Sequence, residues 1–252
     1  MIRKLLRRVF RRGEPSPHRA ETISVEKHGI RREDVSPAAR RVCETLQGAG
    51  HKGYIVGGAV RDHIAGIVPK DYDVATSATP DQVHRLFRRS RIIGRRFQIV
   101  HVMFGQETIE VSTFRAAHDA DTVKDVHGRV LRDNVWGSIE EDADRRDFTI
   151  NALYYDPTAQ TVLDFHHGVQ DIQRKTLRMI GDPRSRYRED PVRMLRAVRL
   201  SAKLGLRLDP AVQAPIREMA ELIDNVPTAR VFDEMLKLLF SGHAIECVKR
   251  LR

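Results

Sequence analysis

The sequence predicts an α+β fold, with a small mixed β-sheet packed with helices and an all-helical segment after it. Three observations predict this. Short β-branched and aromatic runs alternate with amphipathic stretches between residues 37 and 114. A hairpin pivots at Gly105, and from about residue 172 the strand signal gives way to helical periodicity. The reading divides the 252 residues into 1–36, a basic arm and linker; 37–175, the sheet-containing unit; and 176–252, a helical unit.

In residues 1–12, Ile2, Leu5, Leu6, Val9 and Phe10 recur at helical spacing among six Lys and Arg residues. Such a basic amphipathic helix suits an anionic membrane surface or RNA. Residues 13–36, polar and carrying Pro15 and Pro17, read as a linker. Ser36-Pro37 opens a helix over 37–50 that Gly48 or Gly50 closes. Strands follow at 53–56, 71–75, 91–94, 97–104 and 107–114, with helices at 58–66 and, after Thr79-Pro80, at 81–88. Residues 115–135 are charged, lack periodicity and read as a loop over a pocket. Helices are expected at 188–204, 210–223, 228–240 and 242–252, the last stopping without a capping signal.

Composition narrows the function. The chain carries 44 Lys and Arg against 34 Asp and Glu, a formal net charge of +10. Arginine supplies most of the excess, and its planar fork matches phosphate. No apolar run reaches the roughly 18 residues of a membrane span. Cys43 and Cys247 stand far apart and match no metal-ligand spacing, so a reducing, cytoplasmic setting is expected.

The most informative stretch is Asp71-Tyr72-Asp73, shortly after Gly57-Gly58-Ala59-Val60-Arg61-Asp62. Two carboxylates two positions apart on a strand share a face at roughly 7 Å. At an effective dielectric of about 20 they repel by roughly 2.5 kcal/mol, which cations relieve. Gly57-Gly58 follows an apolar run and opens a helix, so backbone N–H groups can approach a phosphate chain closely. Phosphates on one side and a metal-binding carboxylate pair on the other point to metal-assisted phosphoryl or nucleotidyl transfer. Alternation through 107–112 sets Glu110 on the polar face of its strand, where it can supply a third metal-facing carboxylate.

Two further clusters stand out. Arg145-Arg146-Asp147 with Asn151 packs guanidinium groups, a carboxylate and an amide into seven residues; by itself it could equally be a charged, Asp147-capped helix start. Glu189-Asp190-Pro191 reads as a helix start capped by Asp190. Capping leaves unexplained the row of Arg193, Arg196 and Arg199.

Together these segments resemble the class II branch of the polymerase-β-like nucleotidyltransferases, which holds CCA-adding enzymes and bacterial poly(A) polymerases. The likeness runs from about residue 40 to the C-terminus. Gly57-Gly58, Arg61-Asp62 and Asp71/Asp73 look like its first motif, and Arg145-Arg146-Asp147 to Asn151 like its second. Glu189-Asp190 with Arg193 resembles the base-reading motif, and Arg230 to Glu234 a neck-helix motif that supports it. Gly94-Arg95-Arg96-Phe97 and Tyr187 to Arg199 are similar to the poly(A)-polymerase pattern.

The resemblance implies a nucleotidyltransferase head followed by a helical neck with a shortened body. It implies two Mg²⁺ ions on Asp71 and Asp73, with Glu110 as a further ligand and Asp147 in the catalytic carboxylate set. Gly57, Gly58, Arg61, Asp62, Arg146, Asn151, Asp190, Arg193 and Arg196 would bind the nucleotide. ATP would be the substrate and RNA 3′ ends the acceptor. CCA addition to tRNA is the runner-up, and a non-catalytic RNA-binding fragment the alternative of another class. Asp164 to Gly168 stands where the family usually has a double glycine, which puts the flexibility of that joint in question.

Overall fold

The computed structural model describes residues 20–94, 98–116 and 135–251. The basic arm of 1–12 and most of the expected loop at 115–135 lie outside the described residues.

In chain order the fold begins with β1 (Glu21–Ile23), α1 (Val25–His28), α2 (Pro37–Gly48), β2 (Gly53–Val56) and α3 (Gly58–Ile64). There follow β3 (Asp73–Thr76), α4 (Pro80–Leu86), β4 (Ser90–Ile93), β5 (Ile99–Phe104) and β6 (Glu107–Thr113). Next come α5 (Ile139–Asp144), β7 (Leu153–Asp156), β8 (Thr161–Asp164), α6 (Gly168–Gln173) and β9 (Thr176–Leu177). The chain continues through α7 (Pro183–Glu189), α8 (Val192–Lys203), β10 (Arg207–Leu208), α9 (Pro210–Glu218), α10 (Thr228–Leu239) and α11 (Ala244–Leu251).

The α+β architecture is the expected one, but the sheet is larger. Eight strands pair in the order β1-β8-β7-β2-β3-β6-β5-β4, antiparallel throughout except for the parallel β3–β6 pair. That single parallel pair forces the crossover through α4, β4 and β5. Alternation divides the sheet residues between two faces. On one, Ile55, Val74, Val102, Ile109 and Val111 pack under Val42 and Leu46 of α2 and Val83 of α4. On the other, Val56, Ala75, Phe114 and Tyr154 pack with Ile139 and Ala143 of α5.

Sequence reading missed β1, β7 and β8. Leu153-Tyr154-Tyr155 is buried on both faces, so it shows an apolar run without alternation, which periodicity cannot distinguish from a buried helical turn. The expected linker of 13–36 is, from residue 20 onward, part of the packed structure: β1 pairs with β8, and Ile23, His28, Ile30 and Val35 are buried. His28 closes this segment by accepting from the Ile30 N–H at Nδ1 (2.9 Å) while Nε2 meets the Gln160 carbonyl (3.2 Å). The expected helix over 188–204 is two helices, because Pro191 has no N–H to continue the ladder and Asp190 takes an extended φ of −149°.

The joint after β8 is pinned. Both Asp164 carboxylate oxygens accept backbone N–H groups, from His166 (3.1 Å), Gly168 (3.0 Å) and Val169 (3.0 Å). His167 sits in the left-handed region at φ 60°, a cost a glycine would not incur. Gly168 has no substitute, since a Cβ there would lie 2.3 Å from the Thr149 carbonyl oxygen. Gly168→Ala is therefore expected to destabilise the fold by about 2 kcal/mol or more, as backbone overpacking does. A fall of roughly 4 °C or more in thermal midpoint would show it; an unchanged midpoint would mean the contact relaxes freely.

Candidate active site

A cleft of roughly 590 Å³ opens between the β3 end of the sheet, α3, the segment 145–151 and α8. Its lining brings together Gly57, Gly58, Arg61, Asp62, Asp71, Asp73, Arg146, Asp147, Asn151 and Arg196, ten of the thirteen expected site residues.

The carboxylate pair is built by strand register. β3 begins at Asp73, so Asp71 belongs to the link before the strand and not, as expected, to the strand itself. One row of register partners crosses the sheet as Tyr154, Val56, Asp73, Glu110, His101 and Arg91. Glu110 thus neighbours Asp73, and its Oε1 lies 3.4 Å from His101 Nε2. Asp73 is open to solvent in the cleft yet crowded by protein. Desolvation, then Glu110, push its pKa from 3.8 up to about 6 against the pull of Arg146. Among the described residues no three His, Cys, Asp or Glu side chains form a ready metal cage. A carboxylate pair beside a phosphate site nevertheless fits Mg²⁺, which is commonly held by one or two carboxylates plus substrate phosphates. On top of desolvation, Glu110 and Asp71 both raise the Asp73 pKa, and a dication would relieve that repulsion.

Behind the pair runs a buried network. Arg61, 6% exposed, directs Nε and Nη2 to Asp62 Oδ1 (2.8 and 2.6 Å) and Nη1 to Asn151 Oδ1 (2.6 Å). Lys203 Nζ donates to Asp62 Oδ2 (2.9 Å). Asn151 Nδ2 donates to Asp147 Oδ1 (3.0 Å), and Arg196 Nε to Asp147 Oδ2 (2.8 Å). Arg196, Asn151 and the Phe148 N–H outweigh burial and hold the Asp147 carboxyl down at about 2. Asp147 is therefore a permanent anion committed to Arg196 and Asn151, which places it in the frame of the site. Arg61, expected to cradle phosphate, likewise has all three nitrogens engaged.

Sequence reasoning did not find Asp142, although its carboxylate organises both arginines of the second cluster. It is 2% exposed and accepts from Arg145 Nε (3.2 Å), Arg146 Nη2 (3.0 Å) and the Tyr154 hydroxyl (2.8 Å). The i,i+3 and i,i+4 spacing to Arg145 and Arg146 was the available signal. Arg146 also lies over the Tyr154 ring, 5.0 Å from its centroid. Its Nη1 comes so near Gly57 that a Cβ there would stand 3.3 Å away, at a φ of 67° that favours glycine. Lys70, Lys203 and Lys237 also line the cleft and were not expected there.

Three expected residues lie outside the lining. Glu110 is beside it, as described. Asp190 accepts from Arg230 Nη2 (2.9 Å) and the Val192 N–H (3.3 Å). Arg193 Nη1 donates to the Arg186 carbonyl (2.8 Å) and Glu189 (2.9 Å). Arg199 does line the cleft, held through Nε by buried Glu234 (2.5 Å) of the neck-helix motif.

Comparison with known proteins bears on this arrangement. A family model described as the Poly A polymerase head domain matches residues 53–178. The chain belongs to this family. A second model, the probable RNA and SrmB-binding site of polymerase A, matches residues 205–252. The chain is 49% identical to Poly(A) polymerase I of Salmonella typhimurium over 99% of its length and 56% of that protein's. It is 40% identical to the CCA-adding enzyme of Bacillus subtilis, over 82% of this chain and 51% of that one. The solved CCA-adding enzyme of Bacillus stearothermophilus in complex with CTP superposes with a TM-score of 0.74 at 33% identity, covering 86% of this chain and 52% of that chain. The chain spans about half the length of the curated relatives it matches.

Within this family member, Asp73 gives a pH-dependent handle. Its folded pKa of about 6 exceeds the ordinary 3.8, so the folded state binds the extra proton and loses stability as pH rises through that window. In metal-free protein Asp73→Asn is expected to be stabilising at pH 8 and nearly neutral at pH 4. Solvent screening limits the gain to on the order of 1 kcal/mol, about 2–4 °C in midpoint. Equal effects at both pH values would reject the assignment.

Proposed function

We propose that this chain carries a template-independent polynucleotide adenylyltransferase activity, adding AMP from ATP to RNA 3′ ends. The observation that carries this reading is the Asp71–Asp73 pair opening into a cleft with eight Lys and Arg side chains and four carboxylates. That surplus suits a triphosphate. Likeness at 48–49% to proteins named Poly(A) polymerase I, against 36–40% for CCA-adding enzymes, supports poly(A) over CCA addition.

Asp71 and Asp73, with Glu110 next in register, would hold two Mg²⁺ ions. Bound there, the ions would lower the pKa of the attacking hydroxyl and neutralise charge on the leaving pyrophosphate. The chain's own residues do the rest. Gly57 and Gly58 give the phosphates a path free of side chains. Arg196, fixed through Nε and Nη2 by Asp147, keeps Nη1 as a donor that needs no reorganisation as charge shifts to the pyrophosphate, and Arg146, engaged at all three nitrogens, contributes its fixed positive charge. The RNA 3′ oxygen bonds to the α-phosphorus in line, its proton passes to solvent water, and the bond from the α-phosphorus to the α–β bridging oxygen breaks, releasing pyrophosphate. Lys70 and Lys237 line the same cleft and have no ion-pair partner among the described residues, so they are available to substrate phosphates.

Asp190 and Arg193 would influence base choice by positioning. Arg193 holds the Arg186 carbonyl, and Arg186 Nη2 in turn donates to the carbonyls of Arg145 (2.7 Å) and Arg146 (2.5 Å).

Asp71→Ala or Asp73→Ala should abolish Mg²⁺-dependent AMP incorporation on an oligo(A) primer with the far-UV circular dichroism unchanged. Retained incorporation with normal Mg²⁺ dependence would reject the carboxylate assignment. Asp190→Ala or Arg193→Ala should relax discrimination among the four NTPs. CTP incorporation on a tRNA lacking its 3′ end, with no extension of oligo(A), would favour the CCA-adding reading.

A further inference from the structure

A second cleft, of about 640 Å³, lies between α2, the α4–β4 connection and the β5–β6 turn. Arg41 of α2 and Arg88 and Arg89 of the connection line it, all three exposed. Among the described residues none of these guanidinium groups has a carboxylate partner. Most arginines of the catalytic cleft and neck do: Arg61, Arg145, Arg146, Arg186, Arg193, Arg196, Arg199 and Arg230 all form ion pairs. Beside the arginines lie Leu86, Met103 and Phe104, each half-buried, so the hollow has an apolar side as well as a cationic one. The residues lining this hollow and those lining the cleft around Asp71 and Asp73 have none in common. The hollow is thus separate from the catalytic cleft.

We propose that this cleft binds single-stranded RNA upstream of the reacting 3′ end, its phosphates on Arg41, Arg88 and Arg89 and its bases against Phe104, Met103 and Leu86. Unpaired guanidinium forks match phosphate oxygens, and a ring beside them accepts any base, so the contact is independent of sequence. An acidic peptide would meet the charge but leave the apolar side without use. The cavity exceeds what one phosphate needs and falls within the range of nucleotide-sized sites. The proposal rests on the reading that RNA is the acceptor, and the test separates the two.

The test is binding of fluorescent oligo(A) of about 6 and about 20 nucleotides to the 252-residue chain, without ATP or Mg²⁺, across a salt series. In Arg41→Ala/Arg88→Ala/Arg89→Ala, affinity for the longer strand is expected to fall about tenfold and the salt slope by about 2, at roughly 0.7 per phosphate contact. Affinity for the short strand, and its extension by ATP, should hold. A control replacing the exposed Lys27, Arg174 and Lys175 with Ala removes the same charge and should change the long-strand affinity much less. Equal losses in both triple variants, or no loss in the first, would overturn the site. Displacement of the long strand by ATP alone, lost in the first triple variant, would reassign the cleft to free nucleotide and overturn RNA as its occupant. If the unaltered chain binds neither strand, the functional reading itself fails.

Discussion

A closed relay of buried hydrogen bonds fixes the geometry on which the rest of the site depends. It leaves α8 at Lys203, passes through Asp62, Arg61, Asn151 and Asp147, and returns to α8 at Arg196. Seven residues, about two helical turns, separate its two ends on that helix. Isolated charges of this kind would be costly to bury, and the relay is tolerable because both oxygens of each carboxylate are engaged. It joins α3 after the second strand, the turn before β7 and the long helix α8. The cleft and the helical segment after it are thereby held in one register, and a shift of α8 would disturb Arg61 and Asn151 together.

The relay also divides the cations into two populations. Arg61, Arg196 and Lys203 are committed to its carboxylates, Arg145 and Arg146 to Asp142, and Arg199 to Glu234. Their positions are set before any ligand arrives, which suits them to a developing charge. Lys70 and Lys237 are exposed in the lining, with flexible stems and single ammonium groups. A polyanion would meet the mobile charges first and the fixed ones deeper in.

Much of the candidate site was legible in the sequence because its motifs are local. Gly57-Gly58, Asp71-Tyr72-Asp73 and Arg145-Arg146-Asp147 each place their functional atoms within a few residues, and all three reach one cleft. The partnerships that decide what each residue does were illegible because they are long-range. The resemblance sets Asp147 in the catalytic carboxylate set, and nothing local to it announces that Arg196, 49 positions away, pairs with its carboxylate. Lys203 meets Asp62 across 141 positions. Buried strands were lost for a related reason. Burial on both faces removes alternation from β7, and β1 is only three residues long, recognisable chiefly through its pairing with β8.

The parallel β3–β6 pair explains why the acidic charge stays concentrated. β3 pairs antiparallel with β2 along one edge and parallel with β6 along the other, which sets Glu110 directly beside Asp73. A one-residue slip would place Ile109 or Val111 there and expose core side chains to the cleft. The same apolar residues that pack under α2 therefore fix the spacing of the carboxylates on the opposite face. Hydrophobic burial secures the register, and the register keeps Asp73 at an elevated pKa with a neighbouring carboxylate.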